Sequence, residues 1–143
     1  GEYKLMGLAP YGQPRFTQQI LDNLINLRDD GSFNLNPELL DFYSSETLYK
    51  KDAFAKLLGI GPRAPESELL QPHLDIAASV QSVLNLAVKK LVDGLLDNDA
   101  DGQLCLAGGV ALNCVSNAYL LKHSKVRKLW IQPASGDAGG SLG

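Results

Sequence analysis

Apolar residues recur at helical spacing most clearly between Pro72 and Leu96. Ile76, Val80, Leu84, Ala87, Leu91 and Leu95 share one face, while Gln81, Lys89 and Asp93 sit elsewhere on the wheel. This period predicts a long core helix. Pro72 suits its first turn, where a missing N–H costs no hydrogen bond. A second helical pattern lies near 15–27, with Phe16, Ile20, Leu24 and Leu27 on one side, and it ends at the polar turn Asp29-Asp30-Gly31-Ser32. Phe33-Asn34-Leu35 alternates and predicts a short strand. Asn36-Pro37 begins another turn, and Glu38 to Tyr43 predicts a helical turn. Residues 50–58 predict a short amphipathic helix stopped by Gly59, and Gly61-Pro62-Arg63-Ala64-Pro65 a rigid loop, because proline disfavours helix at the residue before it. Residues 1–14 form a glycine- and proline-punctuated opening, and 13–71 read as an insert-like helical region.

The C-terminal third changes period. The apolar run at Leu104-Cys105-Leu106 enters a Gly108-Gly109 turn, and a helix-like stretch leaves it. A second run, Lys128-Leu129-Trp130-Ile131-Gln132, leads into Pro133-Ala134-Ser135-Gly136-Asp137. Strand, glycine turn, helix, strand and carboxylate loop predict a parallel pair near 103–107 and 128–132, backed by the 72–96 helix. The class is therefore α/β, and backbone amides and one acid fall at the sheet edge where such folds bind ligands. Gly108 and Gly109 let a ligand approach the backbone closely. The first N–H groups of a following helix favour anions such as phosphates. Asn113, in the first turn, can donate and accept, or can simply start the helix. Asp137 can ligate a metal, accept from a ligand hydroxyl, or cap a helix.

Composition narrows the classes. A chain of 143 residues is one compact domain or part of one, and a net charge of -3 provides no basic footprint for nucleic acid. No apolar run approaches a membrane span, and no signal peptide opens the chain. Two cysteines, Cys105 and Cys114, make no disulfide framework; they read as small buried hydrophobes in a reducing cytosol, so a cytoplasmic location is expected. Asp97-Asn98-Asp99-Ala100-Asp101-Gly102 resembles the start of a calcium loop, but Gly108 stands where the bidentate Glu is needed, so it reads as an exposed acidic turn. His73 and His123 share no ligand spacing and read as structural, and Arg15 and Arg63 read as solvated surface. Gly1 begins inside a motif and Gly143 stops where a helix after Asp137 should be growing, so the chain reads as an excerpt of a longer protein.

Three stretches together go further: Gly1-Glu-Tyr-Lys-Leu-Met-Gly-Leu-Ala-Pro-Tyr-Gly12, His73-Leu-Asp-Ile-Ala-Ala-Ser-Val-Gln81, and Leu104 to Cys114 followed by Trp130 to Gly140. In order and interval they resemble the NodU/CmcH-type O-carbamoyltransferases, and Asp30-Gly-Ser-Phe-Asn-Leu35 is similar to that family as well. The resemblance implies a fragment of an actin-like ATPase module, the later part of the module akin to the TsaD-type tRNA-threonylcarbamoyl enzymes. It also implies a YrdC-like module elsewhere in the parent chain. The implied reaction uses carbamoyl phosphate and ATP to form carbamoyl adenylate and pyrophosphate, then passes the carbamoyl group to a hydroxyl of a small-molecule acceptor. Gly7, Gly108, Gly109 and Asn113 match nucleotide or carbamoyl-adenylate contacts, and Asp137 matches an aspartate that ligates iron or another divalent metal. Lys4 and His73 match weaker positions without an assigned role. The family's two metal-binding histidines, spaced His-x-x-x-His, have no match here and are expected upstream of Gly1. These residues alone are therefore expected to be inactive.

Two rivals stand beside this reading, the first from the same superfamily and the second of another class. One is a tRNA-threonylcarbamoyl-type enzyme, against which the Met6-Gly-Leu-Ala-Pro-Tyr-Gly12 run leans toward small-molecule acceptors. The other is an actin-like nucleotide-binding regulatory module without transfer chemistry. A calcium-responsive interaction domain resting on Asp97–Gly102 is a third class. Neither DNA nor a membrane is an expected partner.

Overall fold

Helix α4 (Gln71–Leu95) is the longest element of the computed structural model, which describes residues 2–40, 50–97 and 101–136. The other elements are α1 (Glu2–Leu8), α2 (Thr17–Asn23), strands β1 (Ile25–Leu27) and β2 (Phe33–Leu35), α3 (Lys51–Leu58), β3 (Gln103–Leu106), α5 (Cys114–His123) and β4 (Lys128–Ile131). Single 3-10 turns occupy Ala9–Tyr11 and Gly109–Leu112. The class is α/β and helix-rich, with the expected long helix and parallel strand pair. The chain divides into two compact units, Gly1–Arg28 with Ser32–Val83, and Asp29–Gly31 with Leu84–Gly143. Helix α4 contributes to both.

In the first unit the opening is helical over Glu2–Leu8 and Ala9–Tyr11. Pro10 sits in the 3-10 turn, in a position where its missing N–H is not needed. The helix expected over 15–27 ends at Asn23, and Ile25–Leu27 instead pairs antiparallel with Phe33–Leu35, Ile25 opposite Leu35 and Leu27 opposite Phe33. Leu27 fits the expected helical face with Leu24, but it fits a strand period with Ile25 as well. Asn36 settles the competition. Its Nδ2 donates to Asn23 O at 2.8 Å and its N–H to Leu24 O at 2.9 Å, so the end of α2 is capped by the residue that follows β2. Helix α3 ends as expected at Gly59, whose φ of 67° is the left-handed conformation that stops helices. The turn predicted for Glu38 to Tyr43 is present at 37–39, and 41–43 lie outside the described residues.

A polar latch fastens the opening segment to α4. Asp75 and Ser79 are buried one turn apart. Gln13 N–H donates to Asp75 Oδ1 at 2.8 Å, Gln71 Nε2 to the same oxygen at 2.9 Å, and Arg15 Nε lies 3.5 Å from Oδ2. Ser79 Oγ accepts from Phe16 N–H at 2.9 Å and donates to Asp75 O at 2.6 Å. Between them the backbone touches directly: a Cβ at Gly12 would lie 2.0 Å from Leu74 O. Arg15, expected on solvated surface, thus pairs with Asp75 while most of its side chain stays exposed.

The second unit is a half-open layer. β3 and β4 pair in parallel, Gln103 with Lys128 through Leu106 with Ile131. Period-2 alternation turns Leu104, Leu106 and Leu129 onto a core of Val92, Leu96, Leu120 and Val126. Fully burying a leucine such as Leu120 contributes about 2 kcal/mol. The face expected for α4 is displaced here. Val92 and Leu96 are buried, while Leu91 and Leu95 are exposed. The helix is apolar on two sides in this stretch, so its period alone does not choose which side meets the strands. Alternation also overturns the expectation of buried cysteines. Cys105 falls on the outer face of β3 and Cys114 on the first turn of α5, and both are exposed.

Candidate ligand site at the sheet edge

The loops after β3 and β4 meet at the C-terminal end of the parallel pair, the edge at which open α/β sheets bind ligands. Gly108 N–H donates to Ser135 O at 2.8 Å and ties the two loops together. Gly108 has φ 96° and ψ 171°, a conformation that essentially only glycine adopts. Gly109 is different. Its φ is not positive, and a Cβ built on it meets nothing within 4 Å. Neither backbone nor packing within this unit requires glycine at that position.

One expectation for the turn needs correction. The stretch that leaves Gly108 is a single 3-10 turn, and the α-helix begins only at Cys114. The Gly109 amide therefore is not the N-terminus of a long helix and gains little from a macrodipole. Asn113 is the N-cap of α5: its Oδ1 accepts Ser116 N–H at 2.9 Å. An Asn113→Ala variant is expected to lose about 1 kcal/mol of stability. Asn113→Ser keeps a capping oxygen, so nucleotide affinity that falls in both variants would mark a ligand role for the amide. Affinity unchanged in the serine variant would leave Asn113 as a cap alone.

Gly7 belongs to the first unit, in the last turn of α1. It is exposed and a Cβ on it meets nothing within 4 Å, so the fold has no use for glycine here either. Gly108, Gly109 and Asn113 lie together in the second unit, and Asp137 lies outside the described residues.

The remaining candidates have structural partners. His73 Nδ1 accepts from Leu70 N–H at 3.0 Å, and the His123 ring lies 4.5 Å from that of Tyr119. Arg63 donates to the Ser67 carbonyl within its own loop. Asp97, at the start of the acidic turn, pairs with Lys125, whose pKa is raised by that contact; residues 98–100 lie outside the described residues. Asp29, Asp30, Asp93 and Asp97 line a shallow pocket with Lys90. Lys90 holds Asp29 at 2.8 Å and lowers its pKa, and Lys89 meets Asp93 at 2.5 Å. These pairings tie Asp29, Asp93 and Asp97 to lysines rather than leaving them as a cation cage. Among the described residues no three His, Cys, Asp or Glu come together to hold a metal, and no helix is long and apolar enough to cross a membrane.

Two features were not singled out from sequence. Gln71, Asp75 and Ser79 recur every four residues, a polar stripe on an apolar helix that was the available signal for the latch. Ser135 carried no signal, because its environment exists only once β3 and β4 pair.

This edge, a parallel pair ending in a glycine turn, sits in a chain that matches the carbamoyltransferase N-terminus family over residues 1–143, and the chain belongs to that family. It is 50% identical over 143 residues to an uncharacterized protein of Synechocystis, covering 100% of this chain and 23% of that protein. It is 33% identical over 142 residues to the nodulation protein NolO of Bradyrhizobium diazoefficiens, covering 99% of this chain and 24% of the relative. Identity to the nodulation protein NolNO of Sinorhizobium fredii is also 33% over 142 residues, covering 99% of this chain and 19% of the relative. The chain thus spans about a quarter or less of the length of the curated relatives it matches.

Proposed function

We propose that this chain is the nucleotide-binding part of an ATP-dependent carbamoyltransferase with an actin-like ATPase fold. Water would cleave carbamoyl phosphate to carbamate and phosphate, and a carbamate oxygen would then displace pyrophosphate from the α-phosphorus of ATP to form carbamoyl adenylate. The carbamoyl group then moves to a hydroxyl of a small molecule, and AMP departs. The observation that carries this reading is the family match across all 143 residues. The open glycine turn at the strand ends supports it, because a backbone freed of side chains suits a phosphate or carbamoyl oxygen. Gly7, Gly108, Gly109 and Asn113 are the proposed ligand contacts. A YrdC-like module of the whole protein would carry the activation step. Asp137 is the proposed metal ligand. The described residues form no metal cage, so an iron or other divalent ion there would need its other ligands from beyond these 143 residues.

Pyrophosphate release by the whole protein tests the reading. Release that depends on carbamoyl phosphate as well as ATP is the expected result. Inorganic phosphate from ATP alone, with no response to carbamoyl phosphate, would replace the transferase with a regulatory nucleotide-binding module.

A further inference from the structure

The loop after β4 holds a polar atom that the fold does not use. Ser135 is 7% exposed, and its Oγ is the buried side-chain polar atom that lacks a hydrogen-bond partner among the described residues. A buried hydroxyl left unpaired costs stability that alanine would not. The residue before it, Ala134, has φ 56°, a left-handed conformation unfavourable for any residue with a Cβ. Both costs fall where Ser135 O receives Gly108 N–H at 2.8 Å, beside two glycines with open space around them. An unsatisfied buried group in a native fold needs an explanation, and a bound ligand is one that fits this loop.

We propose that Ser135 is a ligand-contacting residue of this sheet edge, its hydroxyl donating to an oxygen of the phosphate-bearing ligand seated on the Gly108-Gly109 turn. The proposal rests on the reading of that turn as the nucleotide site. Oγ is closed to solvent in the free turn, so its engagement accompanies a shift of the 133–136 loop that also releases Ala134 from its left-handed conformation. A hydroxyl facing an anionic oxygen makes a charge-assisted bond, stronger than the neutral bonds of the surrounding turn.

The test titrates the whole protein with ATP in wild type, Ser135→Ala and Gly109→Ala, alongside melting without ligand. Ser135→Ala is expected to weaken ATP binding about tenfold while melting at or above the wild-type temperature. Weaker ATP binding in Gly109→Ala with wild-type affinity in Ser135→Ala would overturn the proposal and leave the site reading intact. A lowered melting temperature with wild-type affinity would overturn it too, since the hydroxyl would then serve the fold. Wild-type affinity in Gly109→Ala would remove the site reading and the Ser135 proposal together.

Discussion

An Asp75→Ala variant is expected to melt on the order of 10 °C below wild type. The substitution strands the Gln13 N–H, takes an acceptor from the Gln71 amide and the counter-charge from Arg15, and frees the segment that enters α2. Asp75→Asn is expected to lose less, because an amide oxygen can still accept from Gln13 N–H while the charge facing Arg15 is gone. The two variants also separate by pH. Gln13 N–H, then Gln71, hold the Asp75 pKa below the usual carboxylate value, against the opposing effect of burial and with help from Arg15. A depressed native pKa stabilises the fold above the unfolded pKa, and that stabilisation is lost as pH falls through the native value. The melting difference between wild type and Asp75→Asn should therefore be full above about pH 5 and shrink below about pH 4. A difference that stays constant across that range would assign the latch to shape rather than charge. Gly12→Ala offers a check without any titratable group. Its Cβ would meet Leu74 O at 2.0 Å and Asp75 N at 2.6 Å, backbone atoms that cannot step aside, so it should unfold the same contact at every pH.

The sequence was most legible where one period had one solution. The parallel pair follows from two short apolar runs separated by a helix-length segment, and α3 from an amphipathic run closed by Gly59. Legibility failed where two periods fitted the same residues. Leu27 fitted the helical face with Leu24 and a strand period with Ile25 until Asn36 capped α2, and α4 carried two apolar stripes of which the strands chose Val92 and Leu96. At the candidate site the glycines, Asn113 and Asp137 could be read as motif positions, but the single 3-10 turn between Gly108 and Asn113 could not. Its apolar residues Val110 and Leu112 look like a helix start, yet both are exposed and the true cap lies at Asn113. Ser135 became visible only through the absence of a partner, a property of packing that no spacing records.

Gly109→Ala should leave stability within about 0.5 kcal/mol of wild type and lower the proposed carbamoyl transfer by the whole protein about a hundredfold. The glycine is unneeded by its own unit, since no described atom lies within 4 Å of a Cβ there and its φ is open to any residue. Among the described residues a methyl at that point has nothing to collide with. Gly31 is the internal contrast. It has φ 84°, and a Cβ on it would lie 2.5 Å from Leu91 Cα, so Gly31→Ala should collapse the second unit whether or not ligand is present. If both variants lose activity and stability in parallel, Gly109 is structural and the sheet edge carries no ligand. If Gly109→Ala folds as wild type and transfers at the wild-type rate, the turn is an ordinary loop and the proposed nucleotide site is not here. Loss of transfer with retained stability is the outcome that ties the open turn to the chemistry, because no described atom of the fold would feel the added methyl.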